Sequence, residues 1–436
     1  MTSSSCSCSY ASSCTCAGFL HDAAGVDRRT AVRSAVVAAG ALLAGRAGTA
    51  RAASRPSSAA GLTLHLPPPT GPHPIGVTPL YLVDRGRRDP WDSRIPVREL
   101  MASVFYPART VHGVPTAPQM TEGAAARFAA IDTRVHGLPA GGVDWAATRS
   151  HAHVGAPVAA GRWPVLLYSP GGGDPRTLGT SLAEELAGHG HVVVAVDHPG
   201  DASEVEFPTT TPYRRDLFRT TVFRDDPRKD PGRFRAMIDT RIADLRFVRD
   251  QLALLAEGCP ADAAGRALPE HLGRALDLRR VGLYGHSAGG TAVAEALYED
   301  RRFAAAVNLE GYLDRPVSGG GAEPYPVAAH GVDRPLLLLG SQHFLGPGSR
   351  RELARSWSAV LDRSRGYAHR RRIARTAHWA FTDYAALVPP LQAAGLMPAA
   401  ARNALVGTAG PAETVPAVRT SVRGFFARHL PRCPVG

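Results

Sequence analysis

From Trp163 onward, short runs of uninterrupted apolar residues alternate with longer stretches in which apolar positions recur every three or four residues. The runs "PVLLYSP", "VVVAVDHPG", "VGLYG", "FAAAVNLE" and "RPLLLLGS" read as strands. The stretches "LGTSLAEELAGHG", "AMIDTRIADLRFVRDQLALLA", "AGGTAVAEALYED" and "VPAVRTSVRGFFARHL" read as helices. Strands that are apolar at every position, set between helices, belong to a parallel sheet covered on both faces. Ahead of them, Gly76–Asp84 and Glu99–Ala108 flank the polar turn "RGRRDPWDSR", a pattern that predicts an antiparallel pair. The predicted fold is therefore α/β: a doubly wound, mostly parallel sheet with an antiparallel N-terminal strand pair. No second domain boundary and no internal repeat is evident across 75–436. Residues 109–161 have weak, mixed periodicity and are expected to cover the surface. Residues 201–235 form a long polar and aromatic loop.

The N-terminus breaks this pattern. Arg28-Arg29 precede an Ala/Gly-rich apolar segment over 35–44 and then Ala50-Arg51-Ala52, which together resemble a twin-arginine export signal over 1–52. The apolar segment is short for a permanent membrane span, although an uncleaved, membrane-anchored N-terminus is the alternative. Residues 53–74, rich in Pro, Ser and Gly, are expected to form a linker. Loss of 1–52 would remove five arginines and two acids, lowering the formal net charge from +12 to +9. The excess is nearly all arginine, with Lys229 the sole lysine, and the basic residues are scattered rather than gathered into a patch. Nucleic-acid binding is therefore not expected. Of six cysteines, only Cys259 and Cys433 would survive export, and a disulfide between them is expected in an oxidising compartment.

The candidate chemistry begins at Gly285-His286-Ser287-Ala288-Gly289. G-x-S-x-G alone is common; an apolar strand before it and a small-residue helix after it make it a nucleophile elbow, with Ser287 raised at the carboxyl edge of the sheet. A serine hydroxyl needs a base. Among the downstream histidines, His429 lies within the last helix, His369 sits in a cationic cluster, and His330 precedes a strand at the wrong edge. His378, in a loop of small and aromatic residues after the strand-like "RRIAR", is the preferred base, with His343 second. For the orienting acid, the tip of "LLLLGS" offers Ser341-Gln342-His343-Phe344 and no carboxylate. The preceding strand ends in Glu310, with Asp314 four residues on. No HExxH, Asp cluster or Cys/His ligand spacing appears, and neither a metal nor a cofactor is expected.

Three segments resemble the plasma-type platelet-activating factor acetylhydrolases and related bacterial secreted lipases and esterases. They are "PVLLYSPGGGDPRTLGTSLAEELAGHGHVVVAVDH", "YGHSAGGTAVAEALYEDRRFAAAVNLEGYL" and "RTAHWAFTDY". The resemblance implies an α/β-hydrolase fold and an ester-cleaving enzyme with a Ser287–His378–Glu310 triad. Glu310 stands where that family usually has Asp, and the oxyanion loop reads Ser169-Pro170-Gly171 where the family usually has His before Gly. The backbone N–H groups of Gly172 and Ala288 are the expected oxyanion donors, since a glycine run lets the backbone approach an oxyanion closely. Trp379, Gly171 and Gly173 are expected around the substrate pocket. The expected substrate is a small-molecule or lipid ester, and the aromatics of loop 201–235 offer a lid or a contact with a lipid interface. A polyester hydrolase and a non-catalytic binding protein on the same fold are the alternatives.

Overall fold

The computed structural model describes residues 61–345 and 347–431. Residues 56–436 fall into one compact unit. The expected export signal, the first part of the expected linker (53–60) and Cys433 lie outside the described residues.

Ten strands form one sheet. In chain order they are β1 (Ile75–Asp84), β2 (Arg98–Pro107), β3 (Thr116–Pro118), β4 (Arg149–Val154), β5 (Trp163–Ser169), β6 (Val192–Val196), β7 (Leu276–His286), β8 (Ala305–Leu309), β9 (Leu336–His343) and β10 (Ala368–Ala377). Their spatial order is β10-β9-β8-β7-β5-β6-β2-β1-β4-β3. The six strands from β10 to β6 are mutually parallel; β2 turns antiparallel on β6, and β1 pairs with it from Ile75↔Pro107 to Asp84↔Arg98. This is the expected mostly parallel sheet with an antiparallel pair, and its apolar runs are the strands buried on both faces.

Successive residues of those strands feed two cores, because side chains alternate across a sheet. Val165 and Leu167 of β5, with Leu336 and Leu338 of β9, meet helices α3 (Pro231–Ala256), α4 (Ala288–Glu299) and α5 (Pro347–Arg363). Leu166, Tyr168, Leu337 and Leu339 face α2 (Thr180–Gly188) and α6 (Pro411–His429) on the other side.

Two expectations change. Residues 109–161 do more than coat the surface: they include α1 (Glu122–Val135), whose fully buried Phe128 anchors a third core with Met120, Trp145 and Tyr384. The described end of the expected linker, 61–74, belongs to that core too. Leu64 and Leu66 are buried, and Leu62–Thr63 pairs with Val143–Asp144. Small apolar contributions from separate segments add up to this core, which is why no periodicity along the chain announced it. Among the described residues, no helix is long and apolar enough to cross a membrane.

Candidate active site

The carboxyl ends of the parallel strands converge on one crevice, where open α/β sheets place their ligands. A cavity of about 770 Å³ opens there, lined by Gly172, Gly173, Ser287, Ala288, His378 and Trp379 among others.

At the end of β7 the chain makes its elbow. Ser287 has φ 53° and ψ −119°, a positive-φ conformation held by its own N–H donating to Leu309 O at 2.9 Å. The flanking glycines are sterically required. A Cβ on Gly285 would sit 2.4 Å from Gly289, and one on Gly289 would sit 2.0 Å from the Ser169 carbonyl oxygen. Ala288 opens α4, so its N–H is one of the helix-end donors without an intrahelical acceptor.

Glu310 follows β8 directly, also at positive φ (62°). Its Oε2 accepts from His378 Nδ1 at 2.9 Å, and its Oε1 accepts from Ser341 N at 2.5 Å and Ser341 Oγ at 2.7 Å. The tip of β9, which offers no acid, thus supplies the donors that hold the acid of the neighbouring strand. The turn after Glu310 is fixed by Asn308 Oδ1 accepting from Gly311 N at 2.6 Å and by Trp357 Nε1 donating to Gly311 O at 2.8 Å. Asp314 lies elsewhere, facing Arg228 at 3.5 Å and Arg355 at 3.6 Å.

His378 is buried, edge-on to Phe344 and Trp379. Burial pushes its pKa below the ordinary histidine value and the neighbouring His286 adds to this, while the Glu310 carboxylate opposes them. His343, the second choice, is exposed, as are His330 and His369.

The glycine loop after β5 is oriented by Arg241, a fully buried residue of α3. Arg241 Nη1 donates to Pro170 O at 2.6 Å, Nη2 to Gly171 O at 2.8 Å, and Nε to Asp201 Oδ2 at 2.6 Å. In a trans peptide the C=O and the following N–H point in opposite directions. Turning Gly171 O toward Arg241 therefore turns Gly172 N–H away from it. Gly173 N–H is engaged differently, donating to Asp201 Oδ1 at 2.9 Å. Gly171 is not among the residues lining the cavity: a Cβ there would sit 2.3 Å from Asp174 Oδ2, so it packs behind the loop.

Segment 201–235, which pairs Glu204–Glu206 with Phe218–Thr220 and ends in the first turn of α3, turns most of its aromatic side chains inward. Phe207 is buried in a small core of its own, Phe223 and Phe234 line the cavity, and Phe218 stacks under Arg127. Leu217 is its exposed large apolar side chain.

Three parts of this site escaped the sequence reading. Ser341 carried a faint signal as the polar residue ending an all-apolar run. Arg241 carried a stronger one, because it falls on the apolar stripe Phe234–Met237–Ile238–Ile242–Leu245 of α3, where a charge must have a partner. The third is a buried group beside the cavity: Asp132 of α1 and His136, which caps that helix, with Asp174 of the glycine loop. Burial opposes protonation of His136, but the two carboxylates outweigh it and push its pKa up to about 9. His286, inside the elbow, connects this group to His378: its Nε2 donates to His378 O at 3.0 Å and its Nδ1 lies 3.5 Å from Asp174 Oδ2.

The chain is similar to proteins named as esterases and acetylhydrolases. Residues 142–214 match the family model "Platelet-activating factor acetylhydrolase, isoform II". The chain is 27% identical over 382 residues to a probable 1-alkyl-2-acetylglycerophosphocholine esterase of Arthroderma benhamiae, covering 83% of this chain and 87% of that one. It is 23% identical over 223 residues to the platelet-activating factor acetylhydrolase of Cavia porcellus, covering 46% and 45%. Among solved structures, a ferulic acid esterase from Streptomyces cinnamoneus is similar with a TM-score of 0.64 and 32% identity. That similarity covers 85% of this chain and 95% of that one.

Proposed function

Because the chain belongs to the α/β-hydrolase esterases and is a carboxylic-ester hydrolase, we propose that Ser287, His378 and Glu310 are its catalytic triad, acting through an acyl-enzyme. One observation carries the reading. A positive-φ serine at a strand–helix elbow shares a cavity with a buried histidine whose Nδ1 is bonded to a carboxylate.

With Nδ1–H donated to Glu310, Nε2 keeps the lone pair that takes the Ser287 proton. Oγ then attacks the ester carbonyl carbon, and the carbonyl electron pair moves onto oxygen between the N–H groups of Gly172 and Ala288. Collapse of the tetrahedral intermediate breaks the C–O bond, and the imidazolium protonates the departing alcohol. The same ring deprotonates a water molecule, which cleaves the acyl-enzyme, releases the acid and restores Ser287. Glu310 stays ionised throughout, holding the ring and stabilising its cationic form.

The substrate is a carboxylic ester with a substantial apolar part, since Phe223, Phe234, Met237, Tyr312 and Trp379 all line the cavity. Contact with a lipid interface, if made through loop 201–235, has Leu217 as its apolar point. The paired arginines, apolar segment and Ala50-Arg51-Ala52 support export by the twin-arginine route, with an extracellular product starting at Ala53 as the expected mass-spectrometric result.

A fluorophosphonate probe tests the mechanism. The wild-type protein should label stoichiometrically and Ser287→Ala not at all; labelling that survives the substitution, or is absent from the wild type, overturns it. A chain-length series of p-nitrophenyl esters, beside methyl ferulate and a 2-acetyl glycerophosphocholine, then ranks substrates by kcat/KM.

A further inference from the structure

We propose that Asp132, His136 and Asp174 form a binding site for one divalent transition ion of the zinc class, tying α1 to the glycine loop. His136 Nε2 lies 3.3 Å from Asp132 Oδ1 and 3.3 Å from Asp174 Oδ1, and the side chains of Asp132, His136 and Asp174 are 1%, 5% and 3% exposed. Asp132 Oδ2, although buried, has no hydrogen-bond partner among the described residues, and Asp174 Oδ1 has none beyond its ion pair to His136. Buried carboxylate oxygens are ordinarily hydrogen-bonded, so these under-satisfied atoms leave room for a cation.

The spacing fits an ion. Ligands about 2.0–2.2 Å from a tetrahedral zinc stand roughly 3.3–3.6 Å from one another, which matches both N···O separations. Asp132 and His136 are four apart, and the His136 N–H donates to Asp132 O as in a last helical turn, which puts both side chains on the same face. Two carboxylates and a neutral imidazole balance a divalent charge, and the imidazole favours a transition ion over calcium or magnesium. Two of the ligands also have neighbours suited to orienting them. Tyr384 Oη donates to Asp132 Oδ1 at 3.2 Å, and His286 Nδ1 faces Asp174 Oδ2 at 3.5 Å. Three protein ligands leave the fourth position of a tetrahedral ion to a water, and Asp132 borders the active cavity.

The ion takes no part in ester chemistry. It holds the loop that carries Gly172, two residues before the metal-binding Asp174, and it makes α1 a fixed wall of the cavity.

The test uses the intact protein purified without chelator. Expected are about one equivalent of zinc by elemental analysis, a melting temperature that falls by several degrees after EDTA and recovers with zinc, and a tetrahedral visible spectrum on cobalt substitution. His136→Gln should lose the cobalt spectrum and weaken zinc affinity about tenfold or more; Asp174→Asn serves should that variant not fold. Wild-type protein that carries no zinc and shows no zinc-dependent melting overturns the site, leaving His136 as an imidazolium between two carboxylates. So does zinc stoichiometry unchanged in His136→Gln, which would assign the metal to other histidines. Fluorophosphonate labelling of metal-free protein is expected to persist at a reduced rate, so failure of this site and failure of the triad are read separately.

Discussion

At the residue scale the catalytic acid was the hardest choice, because Glu310 and Asp314 both follow β8 within a short span. The structure separates them by their partners: Glu310 meets His378 and Ser341, whereas Asp314 meets Arg228 and Arg355. Glu310→Gln should therefore cut kcat by about 10³–10⁴, while Asp314→Asn leaves kcat within about threefold. Steady-state kinetics on both variants decides it; the reverse pattern names Asp314 as the acid. Ser341→Ala should lower kcat far less than Glu310→Gln, since it removes one of the two donors to Oε1 but keeps the Ser341 N–H and the bond to the ring. The base makes a second prediction. Burial lowers the His378 pKa, so the neutral, proton-accepting form persists into acid. The acid limb of kcat/KM should have its midpoint below about 6.5, the ordinary histidine value, with full activity at neutral pH. In Glu310→Gln the residual activity should titrate lower still, because the attraction favouring the imidazolium is gone. A wild-type midpoint above 7 would mean that the carboxylate dominates over burial.

At the element scale, the glycine loop is shaped by α3 rather than by its own sequence. Arg241 gathers the carbonyls of Pro170 and Gly171, and this directs the next N–H away from the helix. Arg241→Met keeps the volume and the apolar contacts but removes those donors. The expected result is a kcat loss of about 10²–10³, the range seen when an oxyanion donor is displaced, with KM changed much less. A rise in KM with kcat intact would show that Arg241 shapes binding rather than the transition state. The elbow is the opposite case. Its geometry is written locally, in two glycines whose missing Cβ atoms let β7, α4 and the loop after β5 touch.

Across the whole molecule, the antiparallel front of the sheet is joined to the catalytic part by buried charge. Arg98 of β2 is fully buried and pairs with Asp89 at 2.9 Å and Asp244 of α3 at 2.8 Å. Asp244 also accepts from His198 Nδ1 at 2.9 Å, and His198 reaches Ser169 Oγ at 2.9 Å with its other nitrogen. Removing one partner of a buried ion network leaves charge uncompensated and costs about 3–5 kcal/mol. Arg98→Met should therefore destabilise the protein by that order in chemical denaturation. A loss below about 1 kcal/mol would show that Arg87, 3.0 Å from Asp244, and Arg219, 2.6 Å from Asp89, suffice.

Periodicity along the chain determined the sheet, its covering helices and the elbow. Each depends on neighbours in sequence: alternation decides which face is buried, and glycine spacing decides where the chain can turn. For the same reason Ser287 and the loop bearing His378 were legible. What only the tertiary structure decided is which distant polar groups meet. Ser341 and Glu310 are 31 residues apart, Arg241 and Gly171 are 70 apart, and Asp174 of the glycine loop meets Asp132 and His136 at the end of α1. A polar residue is ambiguous in sequence because water satisfies it equally well. Its role is fixed when folding removes the water and leaves one partner within reach.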